Sequence, residues 1–224
     1  MDTTSSLIAV GDTPVALKLP DETWIQILKE LETYKQLKDA GRICKKLQNF
    51  IKGSDFDKAL FRSPPPVKPL RKGGRTKLHP MLDVTQGIFG SLDDALIIAY
   101  ESEKEEYFPK DYPSILENEF ATSPASTEIT FKFCEDAPSP TFKSLVNPSG
   151  VKVGEFLNHV AEYWSTPVTG NQRAFDHARE EYGVKNKKDV KYIHCLGARN
   201  GWDCWFIKAK GENCAEVRAS DFDS

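Results

Sequence analysis

Metal-ligating and nucleophilic side chains gather in the last third of the chain. They are His194, Cys195, Cys204 and Cys214, and eight and nine residues separate the successive cysteines. Structural zinc sites use such ligands but usually clamp the ion with pairs only a few residues apart. His194 and Cys195 are neighbours on a predicted strand, so their side chains should point to opposite faces. We therefore predict free thiols in the core or near it, with no metal and no cofactor.

A cysteine nucleophile is the second chemistry to consider. It needs a histidine and an orienting acid or amide close in space. His159, His177 and His194 are available, and their spacing selects no pair. The glycine-containing segments 73–74 and 197–201 lack the strand–glycine–helix arrangement of phosphate-binding loops. The sequence favours a non-catalytic protein with no catalytic residue, and a small intracellular enzyme using His194 or Cys204 is the less favoured alternative.

A loop with interface-type residues spans positions 196–202, between two predicted strands. Arginine and tryptophan are enriched among the residues that dominate binding energy at interfaces. Arg199, Asn200 and Trp202 are therefore predicted to contact a protein target. Trp202 and Trp205 have opposite strand parity, so at most one of them would face the core of a regular strand. The alternative is that the fold covers both rings.

The composition is that of a globular protein without an electrostatic signature for nucleic acid or membrane. The 224 residues are 39% hydrophobic and 28% charged, and 30 basic against 33 acidic side chains give a net charge of −3. So small a net charge predicts neither a nucleic-acid nor a membrane partner. No segment approaches the length of a membrane span. A local basic cluster is interpreted as a solvated linker; it comprises Lys68, Arg71, Lys72, Arg75 and Lys77.

The N-terminus and the cysteine content indicate an intracellular location. Residues 1–16 lack the basic start and continuous apolar run of a secretory signal and are expected to be a disordered tail. The five cysteines are odd in number and thinly spread, which is typical of free thiols in a reducing compartment. We expect the protein in the cytoplasm, the nucleus or both.

Residues 17–62 predict three short helices with more apolar surface than so small a unit can bury. Pro20 is expected near the first helical position, followed by Asp21 and Glu22, whose charge suits the helix dipole. The first apolar stripe is Trp24, Ile27, Leu28 and Leu31. The second stripe, on the segment 40–51, is Ala40, Ile43, Cys44, Leu47, Phe50 and Ile51. Ser54 caps a third turn that carries Phe56, Ala59, Leu60 and Phe61. Such a unit is rarely stable alone, so we expect it to dock on a partner, on the rest of the chain, or on both.

The order of these residues resembles the F-box motif. The resemblance is carried by Leu19, Pro20, Asp21, Glu22, Ile27, Leu28, Leu31, Leu37, Ile43, Cys44, Leu47, Phe50, Leu60 and Phe61. Ile43 stands where valine is usual, and Phe61 ends a segment that often carries tryptophan. The resemblance covers residues 17–62 and no more. An ordinary three-helix subdomain packed on the rest of the chain is the alternative.

The resemblance implies a docking module for the Skp adaptor of SCF-type ubiquitin ligases and, through the adaptor, for a cullin. The motif residues would divide between the adaptor interface and the internal core; they are Leu19, Pro20, Trp24, Ile27, Leu28, Ile43, Cys44 and Leu47. Leu19 and Pro20 are the first expected contacts. The chain would then be a substrate receptor that recruits a target through its C-terminal domain. A self-contained binding or structural module with no ligase role is the alternative.

A proline-rich segment follows the predicted helices. Residues 63–69 favour a stiff polyproline-type conformation, and Gly73 and Gly74 then restore flexibility. We predict a linker over 63–75 and a domain boundary near residue 75. The segment either acts as a spacer or packs along the surface of the following domain.

Residues 76–224 are predicted to form one α+β domain. Apolar alternation predicts strands at 128–133, 142–146, 190–196, 202–208 and 214–218. Helical spacing predicts helices after Ser91, over 152–164, and from Thr169 to Gly183. This order favours a mostly antiparallel sheet, partly a meander, with helices packed on one face. The whole chain is thus predicted as α+β, a three-helix module followed by this domain.

The C-terminal domain bears a more distant resemblance to a domain of unknown function that recurs in fungal proteins. The segments that carry it are residues 78–82, Leu-His-Pro-Met-Leu, and residues 147–157, which begin Asn-Pro-Ser-Gly. This resemblance supports treating the region as one domain. It implies no chemistry.

Overall fold

The computed structural model describes residues 19–85, 87–101, 112–133, 144–168, 171–195, 202 and 204–220. The chain divides into two compact units, Met1–Ser54 and Asp55–Ser224, which we call the N-terminal unit and the C-terminal unit. The sequence predicts a boundary near residue 75, whereas this division lies between Ser54 and Asp55. The mixture of helices and sheets confirms the predicted α+β class.

The described part of the N-terminal unit contains three short helices, α1 (Asp21–Lys29), α2 (Tyr34–Ile43) and α3 (Lys45–Ile51). Before α1, the Pro20 carbonyl accepts the N–H groups of Thr23 and Trp24 at 3.1 and 3.2 Å. Pro20 is the N-cap, one position earlier than predicted. At the start of α2, Thr33 and Gln36 form a capping box in which each side chain accepts the other's backbone N–H.

Cys44 interrupts the predicted second helix. Its backbone is extended, with φ −159° and ψ 162°, so the helical hydrogen-bond pattern of α2 ends there. The Cys44 carbonyl then accepts the N–H of Gln48 at 3.0 Å, within the first turn of α3. The apolar stripe that the sequence places on one segment is therefore divided between two helices.

Except for its first residue, Ser54, the predicted third turn belongs to the C-terminal unit. A 3-10 helix spans Ser54–Phe56, and Phe56, Leu60 and Phe61 are all buried. The Phe61 carbonyl accepts the N–H of Phe120 at 2.6 Å, and its ring meets His79 edge-on at 4.8 Å. The last part of the predicted three-helix module is thus a piece of the following unit.

A four-stranded sheet organises the C-terminal unit. Its strands are β3 (Glu128–Lys132), β4 (Leu145–Val146), β5 (Trp205–Gly211) and β6 (Cys214–Ala219), in the order β4-β3-β6-β5. β4 pairs with β3 and β5 pairs with β6 in antiparallel fashion, as the sequence predicts. β3 and β6 pair in parallel, which the predicted meander does not include. A second sheet pairs β1 (Lys77–Leu78) with β2 (Thr122–Ser123).

Helix α7 (Val153–Ser165) packs on one face of the four-stranded sheet, close to its predicted span. Its Phe156 lies 4.9 Å from Phe131 of β3 and 5.7 Å from Trp205 of β5, measured between ring centroids. The other helices of the unit are α4 (Pro80–Val84), α5 (Leu92–Glu101), α6 (Tyr112–Asn118) and α8 (Gln172–Tyr182). The predicted N-cap holds for α5, where Ser91 accepts the Asp94 N–H, and the predicted C-terminal stop holds for α8, which ends at Gly183 with φ 65°.

The predicted strand over 190–196 is wrong. Two 3-10 helices, Lys187–Asp189 and Tyr192–Cys195, occupy most of this region. The cause is local hydrogen bonding, because the His194 side chain accepts the Lys191 N–H while the His194 N–H reaches the Lys191 carbonyl. Such side-chain competition for backbone groups favours a turn over an extended strand. The N-cap of α8 is Asn171, and the predicted cap Thr169 lies outside the described residues.

The proline-rich segment packs against the turn between β5 and β6, the second of its two predicted alternatives. The Asn213 side chain accepts the Leu70 N–H and donates to the Pro66 carbonyl, at 3.3 and 3.0 Å. The Gly73 N–H donates to the Ala209 carbonyl at 3.0 Å. These bonds make residues 66–73 part of the C-terminal unit.

Candidate functional site

The predicted adaptor-binding residues all lie on the three helices of the N-terminal unit or just before them. Leu19 and Pro20 precede α1, and an ion pair of 2.8 Å between Asp21 and Lys46 links the start of α1 to α3. This pair is largely exposed and so contributes little stability. The acidic first turn of α1 and Lys46 of α3 nevertheless meet through it.

Burial separates these residues into two groups. Leu28 and Leu47 are 2% and 4% exposed and belong to the core, together with Tyr34, Leu37, Ala40 and Ile51. Leu19, Ile27 and Ile43 are 38%, 42% and 74% exposed. Pro20 is exposed as well, whereas Trp24 and Cys44 are half-buried. We call Leu19, Pro20, Ile27 and Ile43 the exposed motif residues.

The break at Cys44 accounts for the unusual exposure of Ile43. Ile43 is the last residue of α2, and the extended Cys44 changes the chain direction before α3 begins. Leu47, four residues later, therefore lies on a different helix and returns to the core. Large aliphatic side chains exposed in this way lose contact with water when a partner covers them, which contributes about 25 cal/mol per Å² of apolar surface.

Two contacts that position these helices were missed from the sequence. The first is the capping box Thr33–Gln36, for which the Thr-x-x-Gln spacing is a recognisable signal. The second is the Asp21–Lys46 ion pair. A separation of 25 positions between its partners carries no local signal, so only the fold identifies it.

In the predicted target-binding loop, the one described residue, Trp202, is buried. Trp202 is only 2% exposed, so its placement at an open interaction surface is wrong. Its ring meets Trp205 edge-on, with the centroids 4.6 Å apart. Trp202 precedes β5, so the alternation of side-chain direction along that strand does not apply to it. The fold can therefore bury both tryptophans. Arg199 and Asn200 lie outside the described residues.

Cys195 packs against the small apolar cluster of Ala174, Ala178 and Val190, whereas the His194 ring contacts Tyr182. His194 and Cys195 share a 3-10 helix and not a strand, so the predicted opposite faces are wrong. The Cys195 thiol donates to the Lys191 carbonyl at 3.7 Å. Burial raises the pKa of this thiol, and burial with nearby Lys191 and His177 lowers the pKa of His194. Both shifts favour the neutral forms, whereas a nucleophilic cysteine needs its thiolate.

The remaining cysteines in the described part of the chain are also free thiols. The Cys214 thiol donates to the Glu128 carboxylate at 3.5 Å, and burial together with this carboxylate raises its pKa. Among the described residues, His, Cys, Asp and Glu side chains nowhere form a group of three or more that could hold a metal ion. No described helix is both long enough and apolar enough to cross a bilayer.

Comparison of the chain with protein-family models, with curated proteins and with solved structures finds no match.

Proposed function

We propose that this protein is an F-box substrate receptor of an SCF-type ubiquitin ligase. The N-terminal unit would dock on the Skp adaptor and, through it, on a cullin, inside the cell. The C-terminal unit would recruit a protein target. Catalysis would be positional, since holding a target near the conjugating enzyme raises its effective concentration without a reacting group on this chain.

One observation carries the proposal. The residues that match the motif are not all used for the core, because Leu19, Ile27 and Ile43 are exposed beside the buried Leu28 and Leu47. A helical unit of this size has little buried surface with which to stabilise itself. Exposed aliphatic residues within so small a unit support a docking role for its helices.

A self-contained module with no ligase role is the second candidate, and one observation favours it. Leu60 and Phe61, which close the motif, are 2% and 6% exposed and lie in the C-terminal unit. They are therefore committed to packing within the chain. This candidate predicts a full chain that is stable and monomeric in the presence of the adaptor.

Affinity purification of the tagged full chain, followed by mass spectrometry, tests the proposal. The expected result is recovery of the Skp adaptor and a cullin with the wild-type chain. The double variant Leu19→Ala/Pro20→Ala should lose both, because it removes side chains that precede α1 without opening the core. Val67→Ala is the matched control, since Val67 is a fully exposed aliphatic residue of the other unit. Absence of the adaptor from the wild-type sample at micromolar protein, or its equal recovery with the double variant, would contradict the proposal.

A further inference from the structure

The face of the four-stranded sheet opposite α7 is open at β5 and β6, where it carries more basic than acidic side chains. Alternation along β5 and β6 directs Phe206, Lys208, Lys210, Glu216 and Arg218 to this face. Phe206 is 60% exposed. It lies in an open depression of about 560 Å³ that Lys208 and Arg218 also line. We call this face the outer face.

One acid on the outer face is already neutralised. Glu216 accepts from Lys210 at 2.8 Å and from Lys132 at 3.0 Å. In the part of the chain that the structure describes, Lys208 and Arg218 form no salt bridge. Arg218 lies directly opposite Phe206 in the ladder, so an unpaired cation and an exposed aromatic ring are neighbours. The depression is therefore suited to a ligand that brings both negative charge and apolar surface.

β5 is the edge strand of the sheet, and its outward backbone groups can be identified. The Cys204 carbonyl bonds to Ser220, at the end of β6, whereas the Ala209 carbonyl bonds away from β6 to Gly73. Because backbone groups alternate in direction along a strand, the N–H and C=O of Ile207 point away from β6. Across the described residues no other segment bonds to them. A stretch of edge next to the depression is thus open to a further strand.

The proline-rich segment brings more positive charge to the far end of this edge. Gly73 covers Ala209, and Leu70 bonds to Asn213 in the β5–β6 turn. Arg71 and Lys72 lie between these two contacts and are exposed. The basic cluster that looks like a solvated linker in the sequence therefore adjoins the open edge. Together with Lys208 and Arg218, it gives the edge a cationic border.

We propose that the open edge of β5 binds an acidic, extended peptide segment of a partner protein as an added strand. Backbone hydrogen bonds to Ile207 would supply strand pairing, and alternate side chains of the peptide would reach Phe206 and the cations. This inference concerns the C-terminal unit alone and does not depend on the adaptor. A single-stranded nucleic acid would match the charge but would leave the backbone groups of Ile207 unpaired, so the peptide is favoured.

Fluorescence anisotropy with a labelled probe tests the proposal on the full chain. The probe is a peptide of alternating glutamate and valine, seven residues long. We expect saturable binding below about 1 mM that weakens as salt increases. The same peptide methylated on every backbone nitrogen keeps its charge but cannot pair as a strand, and it should not bind. A lysine–valine peptide should not bind either.

Three variants separate charge from strand addition. Lys208→Glu/Arg218→Glu should weaken binding at least about tenfold, because attraction becomes repulsion. Ile207→Pro removes the outward N–H of an edge residue, a position where sheets tolerate proline, and should also abolish binding. Lys185→Glu/Lys188→Glu, at two exposed lysines just before and within a 3-10 helix, changes the net charge by the same amount as the first variant. It is the charge-matched control and should change affinity less than about twofold. Circular dichroism and thermal unfolding establish which variants are folded.

Several outcomes would overturn the proposal. One is failure of the probe to bind at millimolar concentration, and another is equal binding of the methylated peptide. Unchanged affinity in the folded Lys208→Glu/Arg218→Glu variant would also overturn it. Tighter binding of a twelve-nucleotide single-stranded DNA than of the acidic peptide would instead assign the surface to nucleic acid. The anisotropy measurement contains no adaptor. Its result therefore does not depend on whether the N-terminal unit binds the Skp adaptor.

Discussion

The two compact units differ in where their apolar side chains lie. The C-terminal unit places large aromatic residues of α7, β3 and β5 in one continuous cluster, in which Phe156 and Trp164 are at most 1% exposed. The N-terminal unit has a mainly aliphatic core on three short helices and leaves Ile27 and Ile43 in solvent. Both units expose some apolar side chains, since Val146 and Phe206 of the C-terminal unit are 61% and 60% exposed. In the N-terminal unit, however, the exposed residues lie on the same short helices as its small core.

This difference predicts which substitutions should affect folding and which should affect binding. In the C-terminal unit, the residues with the strongest sequence patterns are the core, so their substitution should mainly affect folding. In the N-terminal unit, neighbouring motif residues serve different purposes, since Leu28 is buried while Ile27 is exposed. Substitutions there should divide into those that unfold the unit and those that change what it binds.

The largest effect is expected in the aromatic cluster. Phe156→Ala removes a ring that contacts both Phe131 and Trp205 and leaves a cavity between α7 and the sheet. We expect it to lower the free energy of unfolding by about 3–5 kcal/mol. Urea denaturation measures this change. Val146→Ala, at a 61% exposed position of β4, is the control and should change it by less than about 0.5 kcal/mol. Equal effects would mean that this cluster does not hold the unit together.

Two adjacent residues of α1 sharpen the comparison within the N-terminal unit. Leu28→Ala should destabilise this unit by about 2–4 kcal/mol because Leu28 is in its core. Ile27→Ala should cost less than about 1 kcal/mol, since much of that side chain is already in water. Amide hydrogen exchange of α1, α2 and α3 in the full chain measures both. Similar loss of protection in the two variants would contradict the division into core and exposed residues.

The next largest effect is expected when the proline-rich segment loses its hydrogen bonds to the β5–β6 turn. Asn213→Gly keeps the positive φ of 60° but removes both side-chain hydrogen bonds to Leu70 and Pro66. We expect a loss of about 1–2 kcal/mol and faster tryptic cleavage after Arg71 and Lys72. Glu212→Gly, also at positive φ, keeps these two bonds and is the matched control. Cleavage at the wild-type rate in Asn213→Gly would show that the segment is held by something else.

The smallest effect concerns pH and the outer face. The hydrogen bond from Lys210, together with Lys132, lowers the pKa of Glu216 in the folded protein below its ordinary value of 4.5. A lowered carboxylate pKa stabilises the fold above the unfolded value, and this stability is lost as pH falls through the folded value. Glu216→Gln should therefore cost no more than about 1 kcal/mol at pH 7 and progressively less toward acid. Thermal unfolding of both proteins between pH 7 and 3 measures the convergence, and a constant difference would argue against this role of the carboxylate.

The sequence predicts those elements whose signals are local. The alternation of Ile129 and Phe131 identifies β3, and the apolar spacing of Phe156, Leu157 and Val160 identifies α7. The parallel pairing of β3 with β6 joins strands more than eighty residues apart, which no local pattern encodes. The turn around His194 depends on one side chain bonding to a nearby backbone group, which alternation of residue types does not reveal.

The candidate sites could be predicted only in part, because local sequence patterns do not encode tertiary structure. The spacing of residues selects the motif positions on α1, α2 and α3, but it does not indicate that Ile43 is exposed and Leu47 buried. That distinction depends on the break at Cys44. The open edge of β5 was missed entirely, because strand order decides which strand lies at an edge. Trp202 was misplaced because its burial depends on the path of the chain before β5.

Isothermal titration of the full chain with purified Skp adaptor tests the central claim most directly. The wild-type chain should bind with a Kd of about 1 μM or tighter, and Ile27→Ala/Ile43→Ala should bind at least about tenfold more weakly. The hydrogen-exchange protection of α1, α2 and α3 should be nearly unchanged in this variant, so that the loss is one of contact and not of folding. Wild-type affinity in the double variant, or no binding of the wild-type chain at micromolar concentration, would contradict the assignment of the exposed motif residues to adaptor docking.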